Sequence, residues 1–202
     1  YDGRSDILET HLQRGTDFAR RALEVAANDP EIMANAALAL AGFGEDISSM
    51  EAVVERALKL NPDSARVWYV SGNLMNWAGE PDVAIQHAEN ALRLSPRARV
   101  GATSCVMGAG HFYSRRFDAA LPHLNLAIQE DPSHPQAYRF LAASLAHMGR
   151  LIEARQIFER LRALSPSAIS ISRALCNPDH RDLLLSGLQL ASGLNTLLLE
   201  ES

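Results

Sequence analysis

Apolar and small residues recur along the chain at the three-to-four-residue spacing of a helix, in blocks punctuated by proline and glycine. Phe18, Ala19, Ala22, Leu23 and Ala26 mark the block from residue 16 to 27, which ends before Pro30. It predicts a helix, with residues 4–13 as the remains of that helix's partner. Blocks at Ile32–Gly42 and Ser48–Leu60 predict a helix pair. Their joint, Phe43-Gly44-Glu45-Asp46, reads as a turn one residue longer than those further on. Three more segments align with one another. Ala65–Pro96 contains Trp68, Gly72, Ala84 and Ala91; Thr103–Pro132 contains Gly108, Ala120 and Ala127; Gln136–Pro166 contains Tyr138, Ala142, Ala154 and Leu161. Ala84, Ala120 and Ala154 advance by 36 and then 34 residues, and so do Pro96, Pro132 and Pro166. A shared step at independent landmarks predicts helix pairs near 32–60, 65–95, 101–131 and 135–165.

Each landmark has a physical task. Gly72, Gly108 and Ala142 fall in the middle of the first helix of a pair, and Ala84 and Ala154 on the second. Small side chains there let two helices approach. Pro62, Pro96, Pro132 and Pro166 stop the second helix, because proline lacks the amide donor and clashes with the preceding turn. Gly79 and Gly149 supply the turn within a pair. Asp82 and Asp118 suit the positive end of the second helix's dipole. Ser167–Leu175 predicts one more short helix. Asn177-Pro178 then places an N-cap residue before a proline at the first helical position. It opens a final helix with Leu184, Leu188 and Ala191 on one face, a cap for the last apolar surface. No stretch alternates with period two. The expectation is all-α, about ten to twelve helices and no sheet. The chain divides into a partial repeat at 1–30, four helix pairs at 31–166 and a capping region with an apolar tail at 167–202.

A period near 34 in helix–turn–helix units resembles the tetratricopeptide repeat. That resemblance implies a right-handed superhelix whose concave groove is lined by fixed positions of the first helices. Carried onto this sequence, they are Arg66, Tyr69, Val70, Asn73, Asn76 and Trp77, then Ala102, Cys105, Val106, Ala109, Phe112 and Tyr113, then Gln136, Arg139, Phe140, Ala143, Ala146 and His147. Aromatic residues and arginine are enriched at interface hot spots. The expected partner-binding residues are therefore Arg66, Tyr69, Asn73, Trp77, Phe112, Tyr113, Arg139 and His147. For Phe112 and Phe140, packing between neighbouring repeats is the competing reading. Chaperone-binding members clamp a peptide carboxylate with lysine, asparagine and arginine. Asn73 matches their asparagine, but Tyr69 stands where they carry lysine, and Lys59 is the chain's single lysine. A clamp of that kind is not expected here.

Four stretches carry a narrower resemblance. They are Ala19-Arg20-Arg21-Ala22-Leu23-Glu24-Val25-Ala26-Ala27-Asn28-Asp29-Pro30, Arg56-Ala57-Leu58-Lys59-Leu60-Asn61-Pro62, Ala91-Leu92-Arg93-Leu94-Ser95-Pro96, and the ending from Asn177 to Leu188. Together they are similar to the C-terminal tetratricopeptide region of bacterial class III adenylate/guanylate cyclases, a region that also follows winged-helix DNA-binding domains. No cyclase domain lies within these residues, so the resemblance implies an attachment and no catalytic role. This chain continues past the usual end through Gly193 to Ser202. Leu194, Leu197, Leu198 and Leu199 make that tail apolar, to cover the last repeat or, alternatively, to form a homo-oligomer contact.

Composition narrows the rest. Of 202 residues, 47% are hydrophobic and 21% charged, which fits a folded domain. The net charge is −5, without the basic excess of a nucleic-acid binder. No apolar run approaches membrane-spanning length. Cys105 and Cys176 lie far apart with no metal-ligand spacing, which predicts neither a disulfide nor zinc and fits a reducing compartment. His11, His87, His111, His123, His134, His147 and His180 are scattered. Arginine dominates the basic residues, as the codon bias of a GC-rich bacterial genome would give. The start, Tyr1-Asp2-Gly3-Arg4, shows no targeting signal and reads as part of something longer. No phosphate loop, nucleophile elbow or metalloprotease motif is present. The sequence thus predicts a non-catalytic cytoplasmic interaction module with no cofactor or metal. It would bind a protein, a peptide or another domain of its own chain, with neither nucleic acid nor membrane as partner.

Overall fold

The computed structural model describes residues 3–25, 28–165 and 175–193, with side chains from Thr10 onward in the first of these. Among the described residues the regular structure is entirely helical. It comprises α1 (Gly3–Val25), α2 (Pro30–Phe43), α3 (Ile47–Leu60), α4 (Ala65–Ala78), α5 (Pro81–Leu94), α6 (Val100–Tyr113), α7 (Phe117–Glu130), α8 (Pro135–His147), α9 (Leu151–Leu164) and α10 (Pro178–Ser192). No helix among the described residues is long and apolar enough to cross a membrane.

The starts of the first two pairs are written in local chemistry. Asp29 caps α2, its Oδ1 accepting from the amides of Glu31 at 3.0 Å and Ile32 at 3.1 Å, and Pro30 takes the first helical position. Ser64 caps α4 by accepting from the Val67 amide. Pro62, Pro96 and Pro132 stand just beyond the ends of α3, α5 and α7, as expected. Pro166 lies outside the described residues. Gly79 and Gly149 adopt φ of +99° and +77°, which glycine reaches without the steric cost of a Cβ. The turn after α2 is three residues long, like those after α6 and α8. The exception is the two-residue turn Gly79–Glu80, so the expected extra residue after Phe43 is a missing one after Ala78.

The first helices of neighbouring pairs, α2, α4, α6 and α8, pack directly on one another, while the second helices stand farther apart. The array therefore curves with its first helices inside. Each pair closes through small residues. A Cβ on Gly72 would lie 3.0 Å from Val106 and 3.1 Å from the Ala84 carbonyl, and one on Gly108 would lie 2.6 Å from Leu124. Ala84, Ala142 and Ala154 are fully buried. One core cluster joins α1–α4; another runs through α6–α10. Isolated pairs could not bury these faces, and stacking is what stabilises them.

One expectation needs correction. The N-terminal segment is one unbroken helix, α1, and not two partners. Thr16 Oγ1 donates to the Leu12 carbonyl at 2.9 Å across the expected break, and a lone glycine, Gly15, costs a helix only about 1 kcal/mol. The final helix, α10, caps the end of the array as expected, though in a different arrangement from the first helix of a further repeat. It packs chiefly on α8 and less on α9, so Leu151 and Ile152 on α9 remain exposed. The short helix expected at Ser167–Leu175 and the tail Leu194–Ser202 lie outside the described residues, except Leu175, which is not helical.

Candidate ligand groove

The inner helices α4, α6 and α8 surround a cavity of about 210 Å³ on the concave side. Helical spacing brings Tyr69, Asn73 and Trp77 to it from α4, Cys105 and Tyr113 from α6, and Gln136, Arg139 and Phe140 from α8. Tyr69, Asn73 and Trp77 on the α4 wall are half-buried, and Gln136 at the start of α8 is exposed. Asn73 is held by its own helix, Nδ2 donating to the Tyr69 carbonyl at 3.0 Å. Asn76 donates from Nδ2 to the Val106 carbonyl at 3.0 Å, and its buried Oδ1 has no partner among the described residues.

The chain itself closes the remaining side. Residues 175–177 lie against α4, where the Cys176 amide donates to the Trp77 carbonyl at 3.0 Å. Asn177 lies against Gly79 and caps α10 by accepting from the Asp179 and His180 amides. Leu175 and Leu184 line the cavity. His180 stacks on Tyr113 with ring centroids 4.5 Å apart and planes 12° apart. The His147 ring nitrogen Nε2 lies 2.8 Å from the Leu183 carbonyl. Leu183, Leu184, Leu188 and Ala191 are buried in the same cluster as α6 and α8, so this wall is built into the core.

Burial sets the electrostatics. It pushes the Cys105 thiol up to about 12, leaving a small hydrophobe instead of a nucleophile. Burial also raises the Tyr113 hydroxyl and lowers the Arg139 guanidinium, with the neighbouring Tyr113 opposing that drop. Arg139 Nη1 donates to Gln136 Oε1 at 3.1 Å. Among the described residues the cavity lining holds the Arg139 guanidinium and no carboxylate. Among the described residues no cluster of histidine, cysteine and carboxylates could hold a metal ion.

Of the eight expected groove residues, Tyr69, Asn73, Trp77, Tyr113 and Arg139 lie on the cavity. Tyr113 presents little surface, because His180 covers it. Three are placed elsewhere. Arg66 points toward α2, where Nε and Nη2 both donate to Asn35 Oδ1, and its guanidinium lies 5.2 Å from the Tyr69 ring centroid. Phe112 is fully buried among Tyr113, Phe117, Phe140 and His147, because one helical step from Tyr113 turns it away from the groove. His147 is covered by α10 and stacks on Phe117. Sequence reasoning missed His134, Leu175, His180 and Leu184, the last three of which lie on the returning segment. The Asn177-Pro178 start and the Leu184/Leu188 spacing signalled that helix, but nothing local told where it docks.

Paired helices stacked with a concave cavity define an α-solenoid of the kind that holds ligands on its inner face. Family models of the tetratricopeptide repeat match residues 50–99 and 111–175, together more than half of the chain. The chain belongs to the tetratricopeptide-repeat family. Among solved structures it is similar to YrrB, described as a tetratricopeptide protein with an unusual peptide-binding site. That pair is 22% identical, covers 90% of this chain and 96% of the other, and has a TM-score of 0.56. It is also similar to MamA from Desulfovibrio magneticus RS-1, 19% identical over 81% of this chain and 93% of the other, with a TM-score of 0.59. Both show the fold. By sequence, it is 30% identical over 132 residues to the cytochrome c-type biogenesis protein CycH of Rhizobium meliloti, covering 63% of this chain and 34% of that one. It is 34% identical over 61 residues to DnaJ protein P58IPK homolog B of Oryza sativa subsp. japonica, covering 30% of this chain and 13% of that one. The match thus spans about a third or less of these curated relatives.

Proposed function

We propose that this chain is a non-catalytic interaction module that holds a protein or peptide segment on its concave face. The observation that carries the reading is the half-exposed row Tyr69, Asn73 and Trp77 along α4, beside a cavity floored by Arg139. Such a row offers rigid aromatic area and an amide for a backbone. The peptide-binding site named for YrrB supports the same use of the fold. The Cys105 thiol on the cavity is kept protonated by burial, which agrees with binding without chemistry. The test is retention of a partner from cell extract by the immobilised chain. Trp77→Ala should lose a protein that the unchanged chain retains, with the helical circular dichroism intact. Retention that is indifferent to Trp77→Ala and Tyr69→Ala would refute the reading.

The wider setting we read as the C-terminal regulatory or scaffolding region of a larger, cytoplasmic bacterial signalling protein of the adenylate/guanylate cyclase type. The stretch Asn177–Leu188 supports it by its resemblance to the ending of those regions. Attachment to a winged-helix regulator, or life as a free-standing adaptor, is the competing reading, and the match to CycH keeps assembly proteins in view. Reading the gene upstream of the Tyr1 codon decides among them. A cyclase domain there supports the first; a winged helix or an unrelated domain overturns it.

A further inference from the structure

The last helix of the repeats, α9, carries an apolar strip that α10 leaves uncovered. Leu151 and Ile152 are 49% and 79% exposed, and with Arg155, Gln156, Glu159 and Arg160 they line an open groove along α9. The earlier second helices, α3, α5 and α7, each pack on the first helix of the following pair. The outer face of a terminal repeat is ordinarily polar. Two exposed apolar side chains are by themselves ordinary surface; what singles these out is the chain that leads to them. α10 ends at Gly193, whose φ of +72° turns the backbone off the helix axis. Gly193 lies against the Arg155 guanidinium, on the rim of the groove. The sequence that follows is apolar and then acidic: Leu194, Leu197, Leu198 and Leu199, then Glu200 and Glu201. The groove offers the complement. Among the described residues Glu159 pairs with Arg162 at 3.3 Å, while Arg155 and Arg160 are in no ion pair.

We infer that the groove on α9 is a docking surface for the chain's own residues 194–202, with the leucines over Leu151 and Ile152 and with Glu200 and Glu201 toward Arg155 and Arg160. Reach is sufficient: eight residues, Leu194 to Glu201, extend up to about 26 Å at roughly 3.3 Å each, and the 14 residues of α9 span about 21 Å. Tethering favours the chain's own segment over that of a second copy, because a short link to the rim gives it an effective concentration on the order of millimolar. The surface is separate from the concave cavity, so the inference stands apart from the binding proposed there.

The experiment measures how well the groove is covered. Gln156→Cys, in the full chain with Cys176→Ser, puts a thiol in the groove and leaves Leu151, Ile152, Arg155 and Arg160 in place. Cys105 is buried and stays slow. The rate at which a neutral disulfide reagent modifies the new thiol is followed at two protein concentrations a hundredfold apart. Deleting residues 194–202 should speed modification by about tenfold or more, with helical circular dichroism retained and the mass by light scattering unchanged. Leu151→Ser with Ile152→Ser, in the chain that keeps its last residues, should speed it as much. Glu200→Lys with Glu201→Lys should speed it by about threefold, as for exposed ion pairs. In the full chain the rate should be the same at both concentrations. Equal rates with and without residues 194–202 overturn the inference, as does protection that the two Ser replacements or the two Lys replacements leave unchanged. Protection that grows with concentration, together with a dimer that becomes a monomer on the deletion, overturns it in favour of a second copy as the occupant. Should the deletion fail to fold, Leu197→Ser with Leu198→Ser in the full-length chain answers the same question.

Discussion

The close approach of α6 and α7 can be tested with one methyl group. Gly108→Ala places a Cβ 2.6 Å from both Cγ and Cδ2 of Leu124, against about 3.5–4.0 Å for an ordinary carbon contact. Leu124 is fully buried, so either it leaves its rotamer or α7 retreats by about an ångström. Such overpacking costs about 1–3 kcal/mol. Alanine returns about 1 kcal/mol over glycine inside a helix, leaving a net loss of about 0–2 kcal/mol. Gly42, in α2, supplies the control, because a Cβ there meets nothing within 4 Å. Gly42→Ala should therefore stabilise by about 0.5–1 kcal/mol. Urea unfolding followed by circular dichroism gives both values. The gap between them, about 1–3 kcal/mol, is the packing term freed of helix propensity. Leu124→Ala alone should cost about 2–5 kcal/mol. In the double variant the new methyl enters the vacated space, so the two losses should fall short of additivity by about 1–2 kcal/mol. If Gly108→Ala stabilises as much as Gly42→Ala, or if the double variant is additive, the two helices are not packed as described.

Tyr113→Ala should lower the unfolding free energy by about 3–5 kcal/mol, as for a buried aromatic residue, since its ring is enclosed by Phe112, Phe140 and His180; the half-buried Trp77→Ala should cost less, and urea midpoints rank the two. Cys176 is exposed and Cys105 is buried with its thiol pushed up to about 12, so a disulfide reagent at mildly alkaline pH should modify one thiol per native chain and two in urea. Burial lowers the titration of His87, His111, His123, His134 and His180. The unfolded chain therefore binds more protons than the native one below about pH 6.5, and that part of the stability, complete above this pH, should drain away as pH falls toward the depressed native values; a urea midpoint unchanged from pH 7.5 to 5 would contradict it. Asn177→Ala removes the cap of α10 and should cost about 0.5–2 kcal/mol while changing the emission of Trp77, whose carbonyl the neighbouring Cys176 amide holds.

The fold was legible because tetratricopeptide pairs are specified locally. Proline placement, mid-helix small residues and turn glycines recur at fixed offsets, and each acts within a pair or between neighbours. Legibility failed where two local signals competed. The break expected between 4–13 and 16–27 falls at Arg14-Gly15, but the residues around it favour helix, and in the folded chain Gly15 lies against the Phe43 ring, where a Cβ would come within 2.7 Å. A small residue there serves close packing of α1 on α2, the same role that Gly72 and Gly108 play further on.

The groove shows the limit more sharply. Counting along a first helix put Tyr69, Asn73, Trp77, Tyr113 and Arg139 on one surface, because side-chain direction follows from 3.6 residues per turn. The same counting treated Phe112 and Asn76 as groove residues, yet both, at the twelfth position of their repeat, are buried. Asn76 nonetheless lines the cavity beside Trp77, whereas Phe112 turns into the core and leaves the cavity to Tyr113. His147 also stands at the thirteenth position, but in the last pair, where no further repeat follows to shape the groove. There α10 lies on the inner face, contacts His147 through the Leu183 carbonyl and stacks His180 on Tyr113. Repetition predicts a residue's direction wherever the next unit repeats too. At the end of the array the partner is a unique segment, and its position depends on contacts with α4, α6 and α8 that lie from 36 to about 100 residues away in sequence. The departure from the repeat is therefore also what distinguishes this groove: Leu175, His180 and Leu184 close it, and they come from the part of the chain that no period describes.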